Sequence, residues 1–323
     1  MNITRRAAAQ ALSTLTLATP SLLRAAMAEV NERQLKIGTP GELTSAFPVA
    51  VALRILLENT GALSQGELMI VPTTGAIENF RGLRDNRFDL VVAQQDAGAA
   101  AFRGEGPFAV NGSFANLREI MLLHREIMTV VAAKGAGVRT LSDMAGKRVH
   151  LGETGTAVMN TARIVIAAAQ LDPPPIIVEL KPDEGVNALC GGQIDAAFML
   201  LSHPSALLLN TMERCRTRLV PIDVDIEAPG VHSASLPAGF YPNQKTAILV
   251  LDLRFALFCR ADFSDLLVTK ILSTVNSNRS MFTYLHPSLI GLRTLSMVPT
   301  PGIVPVHLAA AQYFADTPEV FPK

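Results

Sequence analysis

Two series of short β-rich runs, each run followed by an amphipathic stretch, constrain this 323-residue chain more than any single motif does. Residues 35–39, 47–58, 68–72, 77–84 and 90–93 read βαβαβ, and residues 148–152, 157–169, 176–180, 184–189, 194–200 and 206–214 repeat the alternation. A strand that returns parallel to its predecessor needs a crossover, and the helix supplies it, so each series predicts a parallel sheet covered by helices. Between the series, residues 120–133 form a long apolar run with Arg125 and Glu126 in its middle, and residues 245–259 form another after the second series. Both are expected to be strands passing between lobes. Helices are expected over 263–285 and 305–315, which bring the chain back to the first lobe. The fold expected is therefore α/β, two lobes joined by two crossing strands, with residues 29–125 plus 250–323 in lobe 1 and residues 126–249 in lobe 2. Such folds place ligands in the crevice outside the carboxyl ends of the strands.

The first 28 residues stand outside this pattern. Arg5 and Arg6 give a positive start, a mildly apolar stretch follows over 7–23, and Ala26-Met27-Ala28 resembles a cleavage site, so residues 1–28 are expected to be a signal peptide that sends the mature chain to the periplasm. The paired arginines resemble a twin-arginine signal, with the general secretory route equally open. Gln10 and Pro20 interrupt the stretch, which is too short to be a good membrane span. The remaining 295 residues carry 25 basic and 28 acidic side chains, and the chain has no Trp and 3 Tyr, so nothing gathers phosphates and no nucleic-acid partner is expected. Cys190, Cys215 and Cys259 are too scattered for a disulfide framework and are expected to be small buried residues. The six His never stand at ligand spacing, so no metal is expected. No nucleophile elbow, zinc-protease helix, phosphate loop or dinucleotide fingerprint occurs, so no enzyme and no cofactor are expected.

From Ile37 to Pro48 the chain reads IGTPGELTSAFP. This run resembles the first loop of the TAXI family, the extracytoplasmic solute receptors of TRAP transporters, where the usual form is I-G-T-G-G-T-G-G-x-Y-Y-P. Further similar segments follow in order: TTGAIEN at 73–79, FDLVVAQQD at 88–96, residues 141–152, TGT at 154–156, GQIDA at 192–196, SHP at 202–204, LPAGFYP at 236–242 and PVH at 305–307. The resemblance covers nearly all of the mature chain. It implies a type II periplasmic binding protein fold, a small solute bearing a carboxylate (an amino acid or dicarboxylate) as ligand, and TRAP membrane permease subunits as partners. Pro40, Glu42, Leu43 and Thr44 replace family glycines and threonine, and Ala46 and Phe47 replace two tyrosines, which makes the expected pocket less polar. The substrate-binding protein of an ABC importer and a periplasmic sensor for a membrane kinase share this fold and address, and both stand as alternatives.

Thr39, Gly41, Glu42, Thr44 and Phe47 belong to a loop between strand and helix, where free N–H groups and the positive helix end favour an anionic group. An ordinary turn is the other reading of that loop. Glu42 either faces solvent or pairs with a ligand amine. Thr74 either caps a helix or offers a hydroxyl. Gln94 follows a strand at its carboxyl end and is the stronger contact candidate there, with Asp96 a capping residue. Thr154, Gly155 and Thr156 are expected to form the opposite jaw. His203 is either a contact or a helix-start residue before Pro204, and Tyr241 either covers the solute or packs within its loop.

Overall fold

The computed structural model describes residues 34–320, apart from 43, 155, 182–183, 225, 227–228 and 243. The expected signal peptide and Gly155 lie outside the described residues. Strands β1 (Leu35–Pro40), β2 (Leu68–Thr73) and β3 (Leu90–Gln94) alternate with helices α1 (Ala46–Asn59), α2 (Ala76–Arg84) and α3 (Gln95–Arg103). The long strand β4 (Leu117–Ala132) leads into a second alternation of β5 (Arg148–His150), α4 (Ala157–Ala169), β6 (Ile176–Ile177), α5 (Glu184–Cys190), β7 (Ala196–Leu201) and α6 (Ala206–Cys215). Strands β8 (Arg218–Val220), β9 (Val231–Leu236) and the long β10 (Ile248–Arg260) precede α7 (Asp265–Ser277), α8 (Arg279–Leu285) and α9 (Leu308–Asp316).

The strands form one sheet in the order β2-β1-β3-β10-β4-β7-β5-β6, with β8 beside β4 and β9 beside β10. Read from one end, the parallel trio β2-β1-β3 meets β10 and then β4. Read from the other, the parallel trio β6-β5-β7 meets β4 and then β10. The two halves thus share one strand order, with the long strands exchanged. Each long strand serves both halves: β4 pairs through Leu117–His124 with the far end of β10 and through Ile127–Ala132 with β7, antiparallel throughout.

Side-chain alternation along these strands sorts the core by face. On one face Leu90, Val92, Leu123, Phe255 and Leu257 pack under α1, α7 and α9, and further along the same face of β10 Leu251 and Leu253 join Met128, Val130 and Phe198 under α4. On the other face Phe80, Val91, Ala93, Ala256 and Phe258 form a third cluster, and Val131, Ala197, Leu189 and Leu208 a fourth.

Three details differ from the sequence reading. The helix expected over 263–285 is two helices, because the Asn278 side chain donates to the Thr274 carbonyl at 2.9 Å and competes with the backbone ladder. Helix α3 was not anticipated: its sequence, QDAGAAAFR, carries too much Ala and Gly to show an apolar stripe. The cysteines also differ. Cys259 is buried and free, but Cys190 and Cys215 form a disulfide, since packing of α5 against α6 brings the last residues of both helices to a Cα separation of 5.0 Å. Sequence spacing alone carries no sign of that approach. The bond closes a sequence separation of 25, which on chain-entropy grounds stabilises the fold by about 3 kcal/mol. Urea unfolding with and without reductant should show the reduced protein weaker by about that amount; equal midpoints would sink this account.

Candidate ligand-binding cleft

The register of β4 brings the carboxyl ends of both parallel trios to one waist. His124 and Gln94, the last residue of β3, both pair with Phe255, whereas Ile127 pairs with Leu201, the last residue of β7. Only the stretch from His124 to Ile127 separates the two trios, so the loops after β1, β2, β3, β5 and β7 all converge there.

At this waist three successive residues of a strand are polar, so both faces are. On one face Arg125 pairs with buried Asp252 at 2.8 Å, and Arg254 lies 3.6 Å from the same carboxylate. On the other, His124 stacks on Phe255 with ring centroids 4.5 Å apart, and its Nε2 lies 2.8 Å from Oγ of Ser45 at the N-cap position of α1. Nδ1 of His124 is buried without a partner. Burial pushes the imidazole down to about 3, aided by His286, so it is neutral. Glu126 lies two residues on and is 7% exposed; burial pushes its carboxyl up to about 7, opposed by a hydrogen bond from Ser45.

Among the residues expected in the site, Gln94 fits this waist best. It is 1% exposed and its Nε2 has no partner, a rarity for a buried amide. Its neighbour Gln95 instead donates to Glu119 at 2.8 Å. Several hydroxyls are engaged locally. Buried Thr39 directs its hydroxyl to the Pro40 carbonyl at 3.2 Å. Thr44 donates through N–H and hydroxyl to the Gly41 carbonyl, both at 2.9 Å, which makes the loop a tight turn with Glu42 and Thr44 exposed. Phe47 is half-buried in the first turn of α1. Exposed Thr74 donates through N–H and hydroxyl to Glu78, each at 2.9 Å, and those bonds hold the Glu78 carboxyl below its usual range. Gly75, not a threonine, occupies the N-cap of α2. Opposite, exposed Thr154 donates its N–H to Glu179 at 2.9 Å, and Thr156 caps α4 by accepting from the Met159 N–H at 3.4 Å.

His203 and Tyr241 come together, but with each other. The Ser205 N–H donates to the Tyr241 hydroxyl at 2.8 Å, the hydroxyl lies 2.6 Å from His203 Nδ1, and His203 Nε2 lies 2.8 Å from Thr129 Oγ1. One set of protons satisfies every link: Tyr241 donates to Nδ1, Nε2–H donates to Thr129, and Thr129 donates to the Ile127 carbonyl at 3.3 Å. Burial pushes His203 down to about 4, in keeping with a neutral ring.

The halves also touch directly. The Thr161 hydroxyl on α4 donates to Asp96 on α3 at 3.1 Å, and burial pushes the Asp96 carboxyl up to about 6 against bonds from Ala97 and Thr161. Gly230 lies so close to this corner that a Cβ would stand 2.4 Å from the Asp96 nitrogen, and its φ is +84°. Only glycine suits both conditions.

Residues 37–317 match the NMT1-like family, which is nearly the whole described chain. The chain belongs to the NMT1-like family. Among solved structures it is similar to XAC2383 from Xanthomonas citri bound to ATP, at 10% identity over 83% of this chain and 91% of that one, with a TM-score of 0.55. It also matches the periplasmic aliphatic sulphonate binding protein SsuA from Escherichia coli, at 14% identity over 87% and 82% of the two chains with a TM-score of 0.45. A third match is the substrate binding protein of an amino acid ABC transporter, at 12% identity over 80% and 99% with a TM-score of 0.45. With its exchanged strand order, this NMT1-like chain has the mixed α/β fold of type II periplasmic binding proteins.

Three residues of the waist escaped the sequence reading as site candidates: Ser45, His124 and Glu126. Their signal was present, since a strand buried on both faces has no reason to place His-Arg-Glu in succession unless a polar level crosses it.

Two variants probe this arrangement. Tyr241→Phe leaves the Ser205 N–H and His203 Nδ1 unpaired in a buried loop, so unfolding in denaturant should show a loss of about 1–3 kcal/mol without any ligand present; an unchanged midpoint would free Tyr241 for another role. Glu119 is pushed from 4.5 up to about 8, mainly by burial, with Gln95 and Arg254 opposing. Its folded pKa exceeds the unfolded one, so its favourable contribution is complete below pH 4.5 and is lost as pH rises towards 8. Glu119→Gln should therefore gain stability over the wild type by a few kcal/mol (order of magnitude) at pH 8, and by much less at pH 5. A pH-independent difference would contradict the assignment.

Proposed function

We propose that the chain is an exported solute receptor that closes on a small organic ligand at the waist and hands it to a membrane importer, with no chemical turnover. The observation that carries this reading is the convergence of both sets of strand ends on Gln94 and His124, whose buried polar atoms have no partner in the protein. The family match and the fold support it, and the Cys190–Cys215 disulfide suits an oxidising compartment. In this reading residues 29–125 plus 250–323 and residues 126–249 are two lobes that rotate about the long strands, with the loops holding Thr39 to Phe47 and Thr74 as one jaw and that holding Thr154 and Thr156 as the other. The TRAP assignment rested on resemblance to the TAXI family, and the match to the NMT1-like family gives it no further support. The permease of an ABC importer is therefore placed ahead of a TRAP permease as the partner.

Thermal unfolding of the mature chain, refolded to strip carried ligand, tests the reading. Against amino acids, dicarboxylates, sulfonates and amines, one class should raise stability by about 2.7 kcal/mol at 100 times its dissociation constant. No response across all four classes would remove the receptor reading.

A further inference from the structure

We propose that Glu126, His124 and Ser45 form the recognition point for a protonated amino group on the ligand, with Gln94 taking an oxygen acceptor of the same molecule. The proposal rests on the receptor reading above and adds the ligand's chemistry to it.

The argument begins with position. Along one face of the long strands, Met128, Val130, Leu251 and Leu253 belong to one hydrophobic cluster and Leu123, Phe255 and Leu257 to the next. Glu126 pairs with Leu253 and His124 with Phe255. The carboxylate therefore sits at the seam between two apolar clusters, nine-tenths buried. Its ordinary compensation is absent. Arg125 is one residue away, but alternation puts it on the opposite face, where it is bonded to Asp252 at 2.9 Å. The groups that act on the Glu126 carboxyl are its burial and the Ser45 hydroxyl, and no cation is among them. A buried carboxylate is ordinarily paired, so a cation supplied from outside the chain accounts for one that is not.

Proton bookkeeping agrees. Ser45 has one proton, and giving it to Glu126 leaves its oxygen to accept from Nε2–H of His124, 2.8 Å away. The neutral imidazole then presents a bare Nδ1 lone pair, and that atom is buried without a partner. Glu126 and Nδ1 are both acceptors in need of donors. An ammonium group has three donors and a positive charge and satisfies both, whereas a second carboxylate satisfies neither. Gln94 has the opposite need. Its Nε2 is a donor without an acceptor, two strands away across Phe255 and so roughly 10 Å distant along the sheet. A carbonyl, carboxylate or sulfonate oxygen on the same ligand meets it.

The test sets matched ligands against one another, using calorimetry on the refolded mature chain. Glutamate, leucine, 4-aminobutyrate and taurine carry the amine. Their counterparts 2-hydroxyglutarate, 2-hydroxyisocaproate, butyrate and isethionate lack it. At least one amine should bind, its counterpart should bind about 30-fold or more weakly, and Glu126→Gln should weaken the amine by a similar factor. Equal or tighter binding of the counterparts would overturn the inference while leaving the receptor reading intact; no binding in either series would overturn both. If Glu126→Gln fails to fold, the matched series decides alone. If it folds and binds the amine like the wild type, Glu126 has no part in recognition.

Discussion

The antiparallel pairing of β4 with β10 is the constraint on which the rest of the molecule depends. The two strands are matched from Met128 with Leu251 to Leu117 with Arg260, and each carries a parallel trio on its outer edge. A one-residue slip would exchange the two faces of both halves at once, so the buried clusters on either side lock the register. The register shifts once beside the waist: Phe255 faces His124, but Ala256 faces Leu122. Leu123 is the extra residue, and it packs into the cluster under α1. Without that bulge His124 would share the face of Leu122 and Ala256, away from Phe255 and Ser45. One inserted residue therefore aims the imidazole at the N-terminus of α1, which is the kind of re-aiming that bulges achieve.

The waist is polar at a cost. At the same level β10 places Leu253 and Phe255, and apolar residues at 124 and 126 would let the two clusters on that face merge into one. Burying a carboxylate and an imidazole there sacrifices hydrophobic contact and leaves polar atoms short of partners. The opposite face is also polar, but there Arg125, Asp252 and Arg254 answer one another. One face of the waist is self-sufficient and the other is not. A strained or unsatisfied level between two well-packed cores is where function is expected to lie.

Much of the fold was legible because periodicity survives in this chain: the two βα alternations and both long strands fall within a few residues of their expected places. What escaped lacked a periodic signature. Helix α3 is mostly Ala and Gly, the break at Asn278 depends on one side-chain amide, and the disulfide depends on how two helices pack. The site was legible as loops and less so as atoms. Thr44, Thr74 and Thr156 hold the residue types that bind anions, but their hydroxyls serve turns and caps. Tyr241 and His203 stand where expected in sequence and satisfy each other. Gln94 was anticipated from its place at a strand end, and it is the one whose amide is left over. Local sequence identifies which hydroxyls can reach a ligand; only the tertiary partners decide which remain to do so.

The same contrast bears on how the proposed receptor would move. Its two halves are joined along β4 and β10 by a continuous ladder, yet from α3 to α4 they meet through the single Thr161–Asp96 hydrogen bond and the close approach of Gly230. A hydrogen bond of that kind contributes about 1 kcal/mol net, far less than the ladder. Separation at the α3 corner is therefore cheap while the waist stays paired, and a ligand seated on His124 and Glu126 lies between the two. Its contacts to the second half are made only when the corner is closed, so binding energy gained there would shift the population towards closure. The glycine at 230 keeps that closure available, because any larger residue would prop the corner open by the width of its own Cβ.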